Sequence, residues 1–210
     1  MAYTATNWVE GVTTLGPTNM NKIETELVYL DTRIPVAAHG YGTSLPGSPV
    51  DGQEYVLVDG TTPSYQWRFR YNAGSTSAYK WEFVGGPAAI VDVLTDEGTA
   101  STTYTNLATT GPQFTLPRAG DYRAEFDAES YSSTSPVLNY VAVQVGAAAT
   151  ADGDGSVGYI ASASNTFCHV RDIAIRGAAA SAVVALRYRV SGGTGNFRKR
   201  ELRVTPIRVS

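Results

Sequence analysis

Four carboxylates fall on odd-numbered positions of one short stretch: Asp121, Glu125, Asp127 and Glu129. In a β-strand a period of two puts all of them on one face. Glycoside hydrolysis uses two carboxylates roughly 5–10 Å apart across a groove. A row of acids on a strand is more often a solvated or interface-lining stripe that faces arginines. Arg198, Lys199, Arg200, Arg203 and Arg208 make the C-terminal stretch basic, and Arg187 and Arg189 can extend that row. Such a row pairs with the acidic stripe or receives an anionic glycan. Asp152 and Asp154, spaced by Gly153 and followed by Gly155, supply the oxygens and the tight turn that a hard cation such as Ca²⁺ needs. The wider EF-hand spacing and its closing Glu are missing, so a plain surface turn is the commoner reading. Tyr131 and Tyr159 offer rings that stack on sugars, and with Asp152 and Asp154 they form the candidate receptor loops.

Nucleophilic chemistry finds little support. The two histidines are His39, in a Gly/Pro-rich stretch, and His169. Cys168 and His169 are sequence neighbours in a strand-like run, so they point to opposite faces and cannot form a dyad. Cys168, near Phe167 and Val170, reads as a buried small hydrophobe. No Gly-x-Ser-x-Gly elbow, His-Glu-x-x-His pair or phosphate loop occurs. The expectation is a protein that is not an enzyme and needs no cofactor or resident metal.

The elements that must position these groups read mainly as strands. Val and Thr number 21 and 24, against 11 Leu and 2 Met, which favours pleated surfaces over Leu-rich helices. Ala, Gly, Ser and Thr make up 87 of the 210 residues, so the core must lean on Val, on 13 Tyr and 3 Trp, and on subunit contacts. A net charge of −3 speaks against a nucleic-acid partner. No apolar run approaches the length that spans a bilayer as a helix, so membrane insertion is not expected. The first residues lack the basic and apolar regions of a secretory signal, and the lone cysteine suits a reducing compartment.

Three parts follow along the chain. Residues 1–35 begin with a polar arm whose apolar points are Trp8, Val9 and Val12, the expected attachment residues. Pro17 opens a helix, Pro35 closes it, and Met20, Ile23, Leu27, Leu30 and Ile34 recur at spacings of 3 and 4. That seam is either an amphipathic helix on its own domain or a short parallel coiled coil between identical chains. Residues 36–87 hold a linker and then a small antiparallel meander: Glu54–Asp59, Tyr65–Tyr71 and a run through Tyr79, Trp81 and Phe83, with one aromatic face. About 35 residues cannot fold alone, so this face must pack on something. Residues 88–210 hold nine strand-like segments between turns: Ala89–Leu94, Tyr104–Thr109, Gln113–Leu116, Gly120–Ser130, Val137–Val145, Val157–Ala163, Thr166–Ile175, Ser181–Val190 and Asn196–Val209. They predict a β-sandwich or jelly roll.

Two sets of motifs carry a resemblance. Asn7–Trp8 followed by Pro17 to Ile34, with Asn21–Lys22–Ile23–Glu24 at its centre, resembles the N-terminal region of bacteriophage tail-fibre and minor tail proteins. The run from Leu45 to Glu54, then Trp67 to Asn72, then Lys80 to Gly86 resembles a small β module recurrent in such proteins. Phe114 to Tyr122, a strand followed by Pro-x-x-Gly-x-Tyr, resembles the entry to the C1q/TNF-like jelly roll. The resemblance implies a homotrimeric fibre or spike of a phage-like virion, made in the bacterial host cytoplasm. Its N-terminus would dock on tail, baseplate or capsid proteins, and its C-terminal knob would bind a host cell-surface glycan or protein. The alternative is a capsid decoration or head-fibre protein with a purely structural role.

Overall fold

The computed structural model describes residues 40–59, 64–133, 136–160, 162 and 165–210, together with 21 and 25. The chain divides into two units, Met1–Ala38 and His39–Ser210. In the first, Thr25 Oγ1 donates to the Asn21 carbonyl at 2.7 Å. Trp8, Val9, Val12 and the seam residues Met20, Ile23, Leu27, Leu30 and Ile34 lie outside the described residues.

The second unit is mainly β and consists of two sheets. Its strands are β1 (Gly40–Gly42), β2 (Glu54–Asp59), β3 (Tyr65–Tyr71), β4 (Trp81–Gly85), β5 (Ala89–Val93), β6 (Glu97–Thr99), β7 (Gln113–Thr115), β8 (Gly120–Ser132), β9 (Val137–Val145), β10 (Gly155–Ile160), β11 (Thr166–Ala178), β12 (Val183–Val190) and β13 (Gly195–Val209). The larger sheet runs β1-β2-β3-β4-β13-β8-β11, with β5 and β6 also pairing with β13; the smaller runs β10-β9-β12-β7. Among the described residues of 88–210 the one helical element is a single turn, Asp152–Asp154.

Alternation explains most of these strands. In β3, Tyr65, Trp67 and Phe69 are buried while Gln66, Arg68 and Arg70 are exposed. In β8 the even positions are all buried, and the odd ones from Arg123 onward are exposed or half-buried. The inner faces meet in one core that joins Trp67, Phe69, Tyr122, Phe126 and Leu202 of the larger sheet to Val141, Val184 and Leu186 of the smaller. The aromatic face of the meander packs on this core: the Trp67 ring lies 6.1 Å from Phe114 and 6.4 Å from Tyr122. β4 also pairs with the end of β13, through Val209 and Trp81. Gly86 turns the chain after β4 at φ 132°, where a Cβ would stand 2.3 Å from the Gln66 carbonyl oxygen. The close approach sets Pro87 to accept a hydrogen bond from the Trp67 indole at 2.8 Å.

Three sequence readings are corrected. Tyr104–Thr109 is not a strand; Thr105 alone makes an isolated bridge, to Tyr188. The stretch around Gly40–Gly42, read as linker, is a short strand parallel to β2, with the Tyr55 ring in the space a Gly40 side chain would take. Cys168 is exposed and its neighbour His169 is buried, because the odd positions of β11 face the core at that point. His169 Nε2 lies 2.8 Å from Ser130 Oγ and its ring meets Phe167 edge-on.

That burial has a pH consequence. Burial pushes the His169 imidazole down from 6.5 to about 4, against a smaller opposing pull from the Ser156 backbone. The folded state therefore holds neutral His169 where the unfolded chain is already protonated. Stability is unaffected by this group above 6.5 and falls as pH drops from 6.5 to about 4. The expected loss is about 3 kcal/mol across the window. Denaturant midpoints measured across it will show the slope, and His169→Gln will flatten it. A wild-type midpoint that stays constant over the window refutes the assignment.

Candidate functional site

The acids of the stripe are held in ion pairs. Glu129 accepts from Arg198 Nε at 2.9 Å and from Lys199 Nζ at 2.7 Å. Asp127 meets Arg203 at 2.8 Å, and Asp121 meets Arg176 and Arg208 at 3.5 and 3.4 Å. Glu125 pairs with Arg123 at 2.9 Å. Arg198, Lys199, Arg203 and Arg208 thus form a cross-strand ladder with Glu129, Asp127 and Asp121 between β8 and β13, while Arg200 leaves the row and pairs with Glu97.

Two members of the basic row lie elsewhere, which corrects the reading that Arg187 and Arg189 extend it. They belong to β12, in the other sheet. There they line an open cleft of about 820 Å³ together with Tyr104, Gln144, Asp152 and the segment Thr102 to Asn106. Register builds this site: Arg189 stands opposite Tyr140 on β9, and Arg187 opposite Ala142. The Arg189 guanidinium lies 3.5 Å from the Tyr140 ring centre. It also donates to both oxygens of Asp152, at 2.7 and 2.6 Å. The Tyr104 hydroxyl donates to Asp152 Oδ1 at 2.9 Å. Arg187 Nε donates to Gln144 Oε1, and Arg187 Nη1 is buried without an acceptor.

Two loops form the walls. Thr105 exchanges both backbone hydrogen bonds with Tyr188, each 2.9 Å, and this lays the 102–106 segment alongside β12. The opposite wall, around residues 149–152, is held from below by β11: Arg171 donates to the carbonyls of Gly155 and Gly153 at 2.8 and 3.0 Å. Hydrogen bonds from Arg189 and then Tyr104 hold the Asp152 carboxyl below its ordinary range. Burial, followed by the Asp152 hydrogen bond, pushes the Tyr104 phenol up to about 12. At neutral pH the cleft therefore presents two guanidinium groups, one carboxylate and a protonated phenol.

The predicted receptor residues are not gathered into one place. Asp152 lines the cleft. Asp154 Oδ2 accepts from the Ala151 amide at 3.2 Å, and both Asp152 oxygens accept from Arg189. Among the described residues no group of three or more His, Cys, Asp or Glu side chains is placed to hold a metal. Tyr131 lies on β8 of the other sheet, where its hydroxyl donates to Asp96 at 2.8 Å. Tyr159 is exposed on β10. Sequence reasoning passed over Tyr104, Tyr140 and Gln144. The signal for Tyr140 and Gln144 was present in the alternation of β9; none marked Tyr104.

Among the described residues lining the cleft, Asp152 is the one carboxylate. The lining combines one aromatic ring, fixed polar groups and a surplus cation, within the size range of ligand pockets.

In class, the His39–Ser210 unit is a two-sheet β-sandwich with a polar, cationic cleft on its smaller sheet. No family model matches the chain, and no curated protein matches it. Among solved structures it is similar to the infectious bursal disease virus VP2 subviral particle, at 11% identity and a TM-score of 0.40, covering 78% of this chain and 41% of that one. The infectious bursal disease virus Gx strain structure is similar at 10% identity and a TM-score of 0.38, covering 66% and 38%. An Arthrobacter globiformis isomalto-dextranase complexed with panose is similar at 16% identity and a TM-score of 0.31, covering 74% and 24%. The chain thus spans about two fifths of the length of these two viral chains.

Proposed function

We propose that the chain is a structural fibre or spike subunit of a phage-like virion, whose residues 88–210 bind a glycan or protein on the host surface. The observation that carries the binding role is the cleft between the 102–106 and 149–152 segments, with Arg187, Arg189 and Tyr104 in its lining. The virion setting is supported by the three motifs of residues 45–86: in the fold they lead into β2, cover most of β3 and contain β4, so they belong to one meander. In this reading residues 1–35 dock on tail, baseplate or capsid proteins. Affinity comes from several weak sites acting together.

The subunit is a homotrimer in this reading. Supporting it, Val157 and Tyr159 on β10 and Val170 on β11 leave 49%, 58% and 69% of their surface exposed, on the two strands that end the sheets at this side. Light scattering is expected to give about 67 kDa, three chains of 22.3 kDa, and Val170→Lys to lower that mass. A wild-type monomer at micromolar concentration refutes the trimer.

The host-binding role is tested by adding the purified chain to host cells before infection. Blocked adsorption supports the reading. Normal adsorption of particles that lack residues 88–210 refutes it in favour of the capsid-decoration role.

A further inference from the structure

We infer that the cleft on the smaller sheet is a carboxylate-binding saccharide subsite, in which Arg187 takes the acid group of a negatively charged sugar. The inference rests on the glycan-binding reading above and narrows it to one ligand chemistry.

Charge is the first ground. The lining holds two arginines and one carboxylate, which leaves one positive charge uncompensated in a chain whose net charge is −3. Arg189 is committed: both Asp152 oxygens and the Tyr140 ring hold its guanidinium. Arg187 is not. Among the described residues no carboxylate pairs with it, whereas Arg198, Arg200, Arg203 and Arg208 of β13 each have an acid partner. Its Nε is occupied by Gln144 and its Nη1 is shut off from solvent with no acceptor. A buried, unmet donor on a charged group costs stability in the empty protein. An entering carboxylate supplies the counter-charge that Arg187 lacks, through a charge-assisted hydrogen bond from the remaining guanidinium nitrogen, Nη2.

The remaining lining is suited to the rest of a sugar. Thr102, Thr103 and Asn106 are exposed along the wall and present hydroxyl and amide groups to ring hydroxyls. Tyr104 is half-buried, with its hydroxyl fixed on Asp152, so its ring is held in place before any ligand arrives. The pre-ordered Tyr104–Asp152–Arg189 set reduces the entropy lost on binding. A neutral sugar leaves Arg187 unsatisfied, and a small inorganic anion leaves the threonine and tyrosine surfaces unused. An acidic saccharide uses both.

The test is calorimetry on the full chain with trigalacturonate, its methyl ester, maltotriose and inorganic phosphate as probes. Trigalacturonate is expected to bind, its ester and maltotriose at least roughly tenfold more weakly, since a charge-assisted hydrogen bond carries about 1.5–3 kcal/mol. Arg187→Gln should lose roughly ten- to hundredfold in affinity for trigalacturonate and nothing for maltotriose. Asn106→Trp narrows the cleft from an exposed position and should weaken trigalacturonate binding while the thermal midpoint stays unchanged, so a misfolded Arg187 variant does not decide the matter. Equal binding of acid and ester, unchanged affinity in both variants, phosphate binding as tight as the saccharide, or no trigalacturonate binding at millimolar concentration each overturn the inference. If trigalacturonate binds as expected but the chain does not block host adsorption, the subsite stands and the fibre reading fails.

Discussion

Trp67→Ala will lower stability by about 3–5 kcal/mol, the range for removing a large buried aromatic. Trp67 is fully buried and is stacked on Tyr65 at 4.0 Å between ring centres. It also meets Phe114 and Tyr122 edge-on or tilted, and its indole donates to the Pro87 carbonyl at 2.8 Å. Phe114 and Tyr122 belong to strands of both sheets, so the side chain links the meander to the sandwich. The expected result is a single unfolding transition for His39–Ser210, moved down by roughly 10 °C at about 2–4 °C per kcal/mol for a unit of this size. Far-ultraviolet circular dichroism and the fluorescence of Trp81 should report the same midpoint. Trp67→Phe keeps much of the apolar contact but leaves the Pro87 carbonyl without its donor, and should cost less. Two separate transitions, with the later one unmoved by Trp67→Ala, would show that the meander is an independent module and refute the shared core.

The strands were legible because their alternation is strong. β2, β3 and β9 lie where the sequence places them: β3 alternates apolar and polar residues with one buried face, and β2 and β9 are short runs rich in Val, Leu and Tyr bounded by turn residues. β11 was read correctly as a strand but in the wrong phase. Phe167 and Val170, the apolar neighbours of Cys168, sit on opposite faces and so could not say which face is inner. The cleft was hidden for a different reason. Tyr104 and Asp152 stand 48 residues apart, and the segment that carries Tyr104 is Thr- and Asn-rich with no apolar period of its own. Its backbone hydrogen bonds to Tyr188 and Val190, through Thr105 and Ser101, place it. Arg187 and Arg189, which the sequence allows to extend the basic row, do not, because β12 and β13 are adjacent in sequence but belong to different sheets. A chain that crosses from one sheet to the other carries no mark of the crossing in its residue pattern.

Arg200 shows how one residue resets such a pattern, and its removal is the second large effect expected. By alternation Arg200 joins the exposed basic row. In the fold, Arg198 stands opposite Glu129 and Glu201 opposite Asp127, so β13 carries one residue more than its partner. Lys199 takes up the bulge at φ 48°. Arg198 and Lys199 therefore both reach Glu129, and Arg200 turns inward, with its side chain fully buried. It donates to Glu97 Oε2 at 3.0 Å and to the carbonyls of Gly111 and Thr95 at 3.3 and 3.4 Å. Glu97 in turn accepts from the Thr109 amide at 3.0 Å and from its hydroxyl. The pair thus ties β13 to the loop segments that flank β6. Arg200→Ala leaves the Glu97 carboxylate without its counter-charge and should cost about 3–5 kcal/mol. Arg200→Met combined with Glu97→Gln removes both charges while keeping the volume, and should recover much of the loss. The pH dependence separates the ion pair from mere packing. Burial of Glu97 opposes ionisation, but the Thr109 hydrogen bonds and the Arg200 charge outweigh it and hold the carboxyl below its ordinary value of 4.5. A carboxyl held low contributes stability above its unfolded value and loses it as the pH falls through its folded one. The wild-type advantage over Arg200→Ala should therefore be largest at neutral pH and shrink as the medium is acidified to about pH 3. An advantage that stays constant over that range would mean that Arg200 acts through its packed volume, and the charge-pair account would fall.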